Sequence, residues 1–128
     1  MTPLAAVTRL AFLPGVVLLA AGCGARRPEA EIERGRGAVT AALDAWKAND
    51  PPGKLKSLPD PVDFTEELRT THALTDYTLG KVDAADKDVI RYAVTLKLRD
   101  RKGKTTDREV VYAVALKTPV VVSRDPYY

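Results

Sequence analysis

The chain has 128 residues, of which 45% are hydrophobic and 29% charged, and it carries a formal charge of +3. That size and balance fit one globular domain and exclude both a multidomain protein and a chain too polar to build a core. One cysteine and one histidine exclude an internal disulfide framework and leave too few ligands for a His/Cys metal centre. Neither a metal nor another cofactor is expected.

Met1 to Arg9 carries one positive charge and no acid, and Leu10 to Ala21 is apolar apart from Pro14 and Gly15. An apolar run of about a dozen residues falls short of the roughly 20 that span a bilayer as a helix. Residues 1–22 therefore read as a cleavable signal peptide rather than a permanent transmembrane helix. At its end, Leu19-Ala20-Ala21-Gly22-Cys23 resembles the lipobox of bacterial lipoproteins. The resemblance implies cleavage between Gly22 and Cys23, a diacylglycerol on the Cys23 thiol, and a further acyl chain such as palmitate on the new amino terminus. Ala20 stands where the family usually has Leu, and the n-region has one Arg where more are common. The competing reading is an ordinary signal peptide with an incidental cysteine; Cys23 is the chain's only cysteine and lies where the motif needs it. Each buried methylene contributes about 0.8 kcal/mol, so two or three acyl chains hold a protein that one would release.

Residues 23–28, with Arg26 and Arg27 beside lipid headgroups, then form a short tether. Gly24 follows the cysteine where, in such lipoproteins, an aspartate would favour the inner membrane. The resemblance thus places the anchor on the periplasmic face of the outer membrane in a cell with two membranes. Removal of residues 1–22 leaves 106 residues with 19 Lys+Arg against 17 Asp+Glu, too balanced for a nucleic-acid partner, which would call for clustered positive charge.

The folded part, residues 29–128, reads as a single α+β domain. Ile32, Val39, Leu43 and Trp46, with Ala38 and Ala42, fall on one helical stripe. The helix is expected to be firm from about Gly37, because Gly35 and Gly37 weaken its start, and to end near Asn49. Asp50-Pro51 caps a short second helix through Leu58, with Leu55 and Leu58 inward. Residues 59–75 read as a wrapping loop with at most one helical turn at Thr65 to Leu68. A short strand holds Tyr77 and Leu79. Ile90, Tyr92, Val94, Leu96 and Leu98 alternate with polar residues in a half-buried strand, Val110, Tyr112, Val114 and Leu116 return antiparallel, and Val120 to Ser123 follows Pro119. Asp100 and Gly103 suit a type I turn with a glycine bulge, which pairs Tyr92 with Tyr112; a loop centred on Gly103 would instead face Tyr92 with Val114.

A helix ending in Ala45-Trp46-Lys47, a strand pair on either side of Lys102-Gly103-Lys104 and a terminal Arg124-Asp125-Pro126 resemble the cystatin-like and NTF2-like group of folds, and small bacterial lipoproteins within it. The resemblance implies an N-terminal helix packed on an antiparallel meander of about four strands. Enzymes of that group use a deep cone walled by three helices, for which this chain is too short.

Catalytic residues are not expected. His72 near Asp76 is the one acid and base pairing to weigh, and the threonines around it suit a loop or strand better than the helix their spacing needs. Residues 24–37 lack the spacing of a phosphate loop. Tyr77, Tyr92 and Tyr112 serve equally as core or as pocket walls. Arg99 to Arg108, with five basic residues and two aspartates, reads as a solvated hairpin tip, contact with anionic lipid or sugar being the alternative. On the sheet face away from the helix, Val111, Ala113 and Ala115 are apolar where water favours polar residues, and they form the candidate partner face, for a homodimer or an envelope protein. The leading expectation is a non-catalytic binding module of the cell envelope, anchored to the membrane through lipid on Cys23. A small-molecule binder with a pocket between helix and sheet, marked by a cavity of roughly 300 Å³ or more, and a small NTF2-like enzyme are the alternatives.

Overall fold

The computed structural model describes residues 27–127; the signal segment, Cys23 and its proposed lipid lie outside them. Helix α1 spans Glu29–Lys47 and helix α2 Pro52–Lys56. Strands β1 (Val62–Thr65), β2 (Ala73–Asp83), β3 (Ile90–Arg99), β4 (Thr105–Ala115) and β5 (Val120–Arg124) form one sheet in the order β1-β5-β4-β3-β2. The domain is thus α+β, with α1 laid on a mostly antiparallel sheet. The expected meander is β2 to β5; β1 adds a fifth strand, parallel to β5.

Helix α1 starts at Glu29 rather than near Gly37, because Gly35 is a contact and not a weakness. The Tyr92 hydroxyl donates to the Ile32 carbonyl at 2.7 Å, and a Cβ on Gly35 would overlap that hydroxyl. Glu29 and Glu31 in the first turn suit the positive end of the helix dipole. The Arg27 guanidinium binds Glu31 at 3.0 Å and the Asp86 carbonyl at 3.1 Å, tying the helix start to the β2–β3 turn. The other end closes in a Schellman motif. Asn49 takes the left-handed conformation (φ 57°), and the Asn49 and Asp50 amides donate to the Trp46 and Ala45 carbonyls. Asp50 does not cap α2; Pro51 holds that position, and Asp50 pairs with Lys54 at 3.1 Å.

The expected loop over residues 59–75 contains β1, a 3₁₀ turn at Glu67–Thr70 and the start of β2. Pro61 precedes β1 without breaking it, because its carbonyl accepts the Val120 amide at 2.9 Å and only a donor is missing. Strand β2 is far longer than the Tyr77 to Leu79 expected. Bulges between Leu74 and Asp76 and between Leu79 and Val82 shift the side-chain parity, so Leu74, Tyr77, Leu79 and Val82 sit against the core without a regular period of two. On this edge strand the bulges also discourage pairing with another chain.

The β3–β4 turn has the expected chemistry. Gly103 has φ +85°, its amide donates to the Asp100 carbonyl, and the Asp100 amide donates to the Lys104 carbonyl, both at 3.0 Å. The Asp100 carboxylate accepts the Lys102 and Lys104 amides. Tyr92 accordingly pairs with Tyr112. Between helix and sheet, Val39, Ala42, Leu43, Leu96, Val114 and Val122 are fully buried. Among the described residues the core side chains run from Ile32 to Val122.

Candidate functional site

The sheet face that α1 leaves uncovered is built by the odd-numbered residues of β3, β4 and β5. Register places Ala93 beside Val111, Arg91 beside Ala113, Ala113 beside Ser123 and Ala115 beside Val121. The three residues expected to form a partner face therefore share one face, each half-buried. Arg91 on β3 reaches Asp125, just past β5, at 2.7 Å. Because the Asp125 amide donates to the Val111 carbonyl, that ion pair bridges over β4 between Val111 and Ala113.

The bridge divides the face. On one side, Gly80, Ala93, Thr95, Glu109 and Val111 line a shallow trough of about 430 Å³. Its floor is low because Gly80 has no side chain beside Ala93; a Cβ there would lie 3.4 Å from the Ala93 carbonyl oxygen. On the other side lie Ala115 and Val121. Arg91 and the Tyr127 amide hold the Asp125 carboxyl below the usual carboxylate range, so the bridge persists through neutral pH.

The tyrosines belong to the core side. Tyr112 is fully buried and donates to Glu66 at 2.7 Å; burial first, then that hydrogen bond, pushes its phenol well above its ordinary value. Glu66 also accepts the Leu68 amide at 3.0 Å and faces the Arg124 guanidinium at 3.8 Å. Tyr92 is pushed up to about 12 by burial. Tyr77, half-buried, is pushed up to about 12 by burial and by its bond to Asp44 at 2.7 Å. All three stay neutral in the range where a general base works. Arg124-Asp125, read only as a terminal motif, sends one side chain to each face: Arg124 to Glu66 and Asp125 to Arg91. Sequence reasoning missed Glu66, whose partner Tyr112 is 46 residues away.

His72 and Asp76 do not form a dyad. His72 Nδ1 lies 2.8 Å from the Thr71 hydroxyl, and Asp76 accepts the Tyr77 amide and pairs with Lys47 at 3.6 Å. Among the described residues, no group of three or more His, Cys, Asp or Glu side chains could hold a metal ion, and no helix is long and apolar enough to cross a membrane.

Family models, curated proteins and solved structures were compared with the chain, and none matches it.

Larger hollows lie at the two ends of α1. One of about 580 Å³ borders Arg27, Ile32, Arg36 and Val82. The other, about 690 Å³, lies where the C-terminal end of α1 meets the 3₁₀ turn and the β3–β4 turn. Val39, Ala42 and Leu43 fill the middle of the helix–sheet interface, and the hollow of about 580 Å³ opens between α1 and β2 at its edge.

Proposed function

We propose that the chain is a lipid-anchored, non-catalytic binding module of the bacterial cell envelope, of the cystatin-like and NTF2-like fold group, held by acyl chains on Cys23 and offering the uncovered sheet face to a protein partner. The trough along Gly80, Ala93 and Val111 carries this reading, since three small or apolar residues stand side by side on three strands with no element among the described residues above them. Scattered apolar residues are ordinary on surfaces; an aligned row with a depressed floor offers a seat for an incoming side chain. A second copy of the chain is the first partner to test. The anchor, on the periplasmic face of an outer membrane where there is one, would restrict the module to partners at that surface.

Val111→Lys in the domain starting at residue 24 is expected to abolish self-association or partner capture, read by light scattering and by pull-down from envelope extracts. Its melting temperature should stay within a few degrees of wild type, because a half-exposed position can let a lysine reach water. A wild-type domain that is monomeric and captures nothing removes the proposal.

A further inference from the structure

Charge is distributed unevenly between the two ends of α1. Near its start, Arg27, Arg34, Arg36 and Arg91 each hold a carboxylate within 3.1 Å: Glu31, Asp60, Glu33 and Asp125. Around the hollow of about 690 Å³ at its other end, Arg69, Arg99 and Arg101 converge from the 3₁₀ turn, the end of β3 and the β3–β4 turn, with Lys47 and His72 beside them and Trp46 as part of the wall. Among the described residues none of these three arginines forms an ion pair. Arg69 lies over the Phe64 ring, 5.3 Å from its centre, and Arg101 reaches the Thr70 carbonyl at 3.3 Å. Asp100 is the carboxylate that lines the hollow, and its Oδ1 is engaged by the Lys102 and Lys104 amides. The fold thus neutralises guanidinium groups at one end and gathers unneutralised ones around a concavity at the other.

We propose that this cleft binds a soluble ligand bearing two or more oxyanion groups, phosphate or carboxylate. Guanidinium forks match such groups in bidentate geometry, and the volume lies in the range of small-ligand sites. A membrane is a poorer occupant, because a flat surface would meet the protruding Lys102 and Lys104 before it reached the concavity. If Cys23 is the anchor, a five-residue link from Gly24 to Pro28, reaching at most about 22 Å, tethers the opposite end of α1 to the bilayer, and a helix of 19 residues allows the cleft to stand up to roughly 28 Å further out. Only that orientation rests on the anchor; the binding argument does not.

Trp46 is the only tryptophan in the chain, so its emission reports on the cleft without a label. The full chain in neutral phosphatidylcholine nanodiscs would be titrated with pyrophosphate and with citrate, following Trp46 emission and heat, and separately with phosphatidylglycerol vesicles. Saturable binding of at least one of the two anions is expected, weakening with added salt. Arg99→Ala with Arg101→Ala, both exposed, should raise Kd by about tenfold or more, whereas Lys117→Ala near the start of α1 should leave it unchanged. Preference between pyrophosphate and citrate tells phosphate from carboxylate ligands. The proposal is overturned if neither anion gives saturable emission or heat up to about 10 mM, if the double variant binds as wild type does, or if only the vesicles bind.

Discussion

Replacing Glu66 by alanine is expected to lower the unfolding free energy by roughly 3–5 kcal/mol, the cost of removing one partner from a buried charged network. Glu66 accepts from the Tyr112 hydroxyl and the Leu68 amide and faces Arg124, and its side chain is 1% exposed. Its loss strands a fully buried phenol and an amide, and leaves the Arg124 guanidinium, already with an unpartnered buried nitrogen, without a counter-charge. Glu66→Gln keeps a carbonyl acceptor for Tyr112 and should cost less. In the Glu66→Ala background, Tyr112→Phe should cost little more, because its hydrogen bond is already gone. Urea melts of the four chains measure this coupling. A Glu66→Ala loss below about 1 kcal/mol would show that the network contributes no more than an ordinary surface contact.

Gly35→Ala should run against the usual sign. In a helix interior alanine is favoured over glycine by about 1 kcal/mol, yet here the new methyl would fall on the Tyr92 hydroxyl, which is fixed by its bond to the Ile32 carbonyl. Overpacking a closed site costs about 1–3 kcal/mol, and loss of that hydrogen bond adds about 1 kcal/mol, so after the helix gain of about 1 kcal/mol a net loss of about 1–3 kcal/mol is expected. Tyr92→Phe removes the colliding oxygen and should recover more than half of the loss, although the ring carbon behind it, 3.0 Å from the added Cβ, still crowds the site. A Gly35→Ala chain as stable as wild type would mean that α1 stands further from β3 than described.

Most of the fold was legible because most of it obeys a simple period. Ile90 to Leu98 and Val110 to Val114 alternate strictly, and Asp100 and Gly103 specify their turn, so even the pairing of Tyr92 with Tyr112 could be chosen in advance. Strand β2 was underestimated because its two bulges break the alternation that identifies a strand. Strand β1 was missed because four residues behind a proline carry little local signal, and its parallel partner β5 is nearly 60 residues away. The helix start was misplaced because a glycine's intrinsic cost is visible in sequence and a tyrosine packed on it is not. The same limit hid the cleft: Arg99 to Arg108 stood out as a charged run, but the arrival of Lys47, Arg69 and Trp46 beside Arg99 and Arg101 is a tertiary event. Val111, Ala113 and Ala115 were correctly grouped on one face, while the Arg91–Asp125 bridge across that face spans 34 residues.

Intact mass spectrometry of the mature protein extracted from membranes tests most directly where the chain is held. A lipid-anchored module predicts an amino terminus at Cys23 with the added mass of a diacylglycerol and, where the amine is acylated, of a third chain. In the same experiment Cys23→Ala should carry no diacylglycerol mass at residue 23. An unmodified Cys23, or a mature terminus at any other residue, would contradict it.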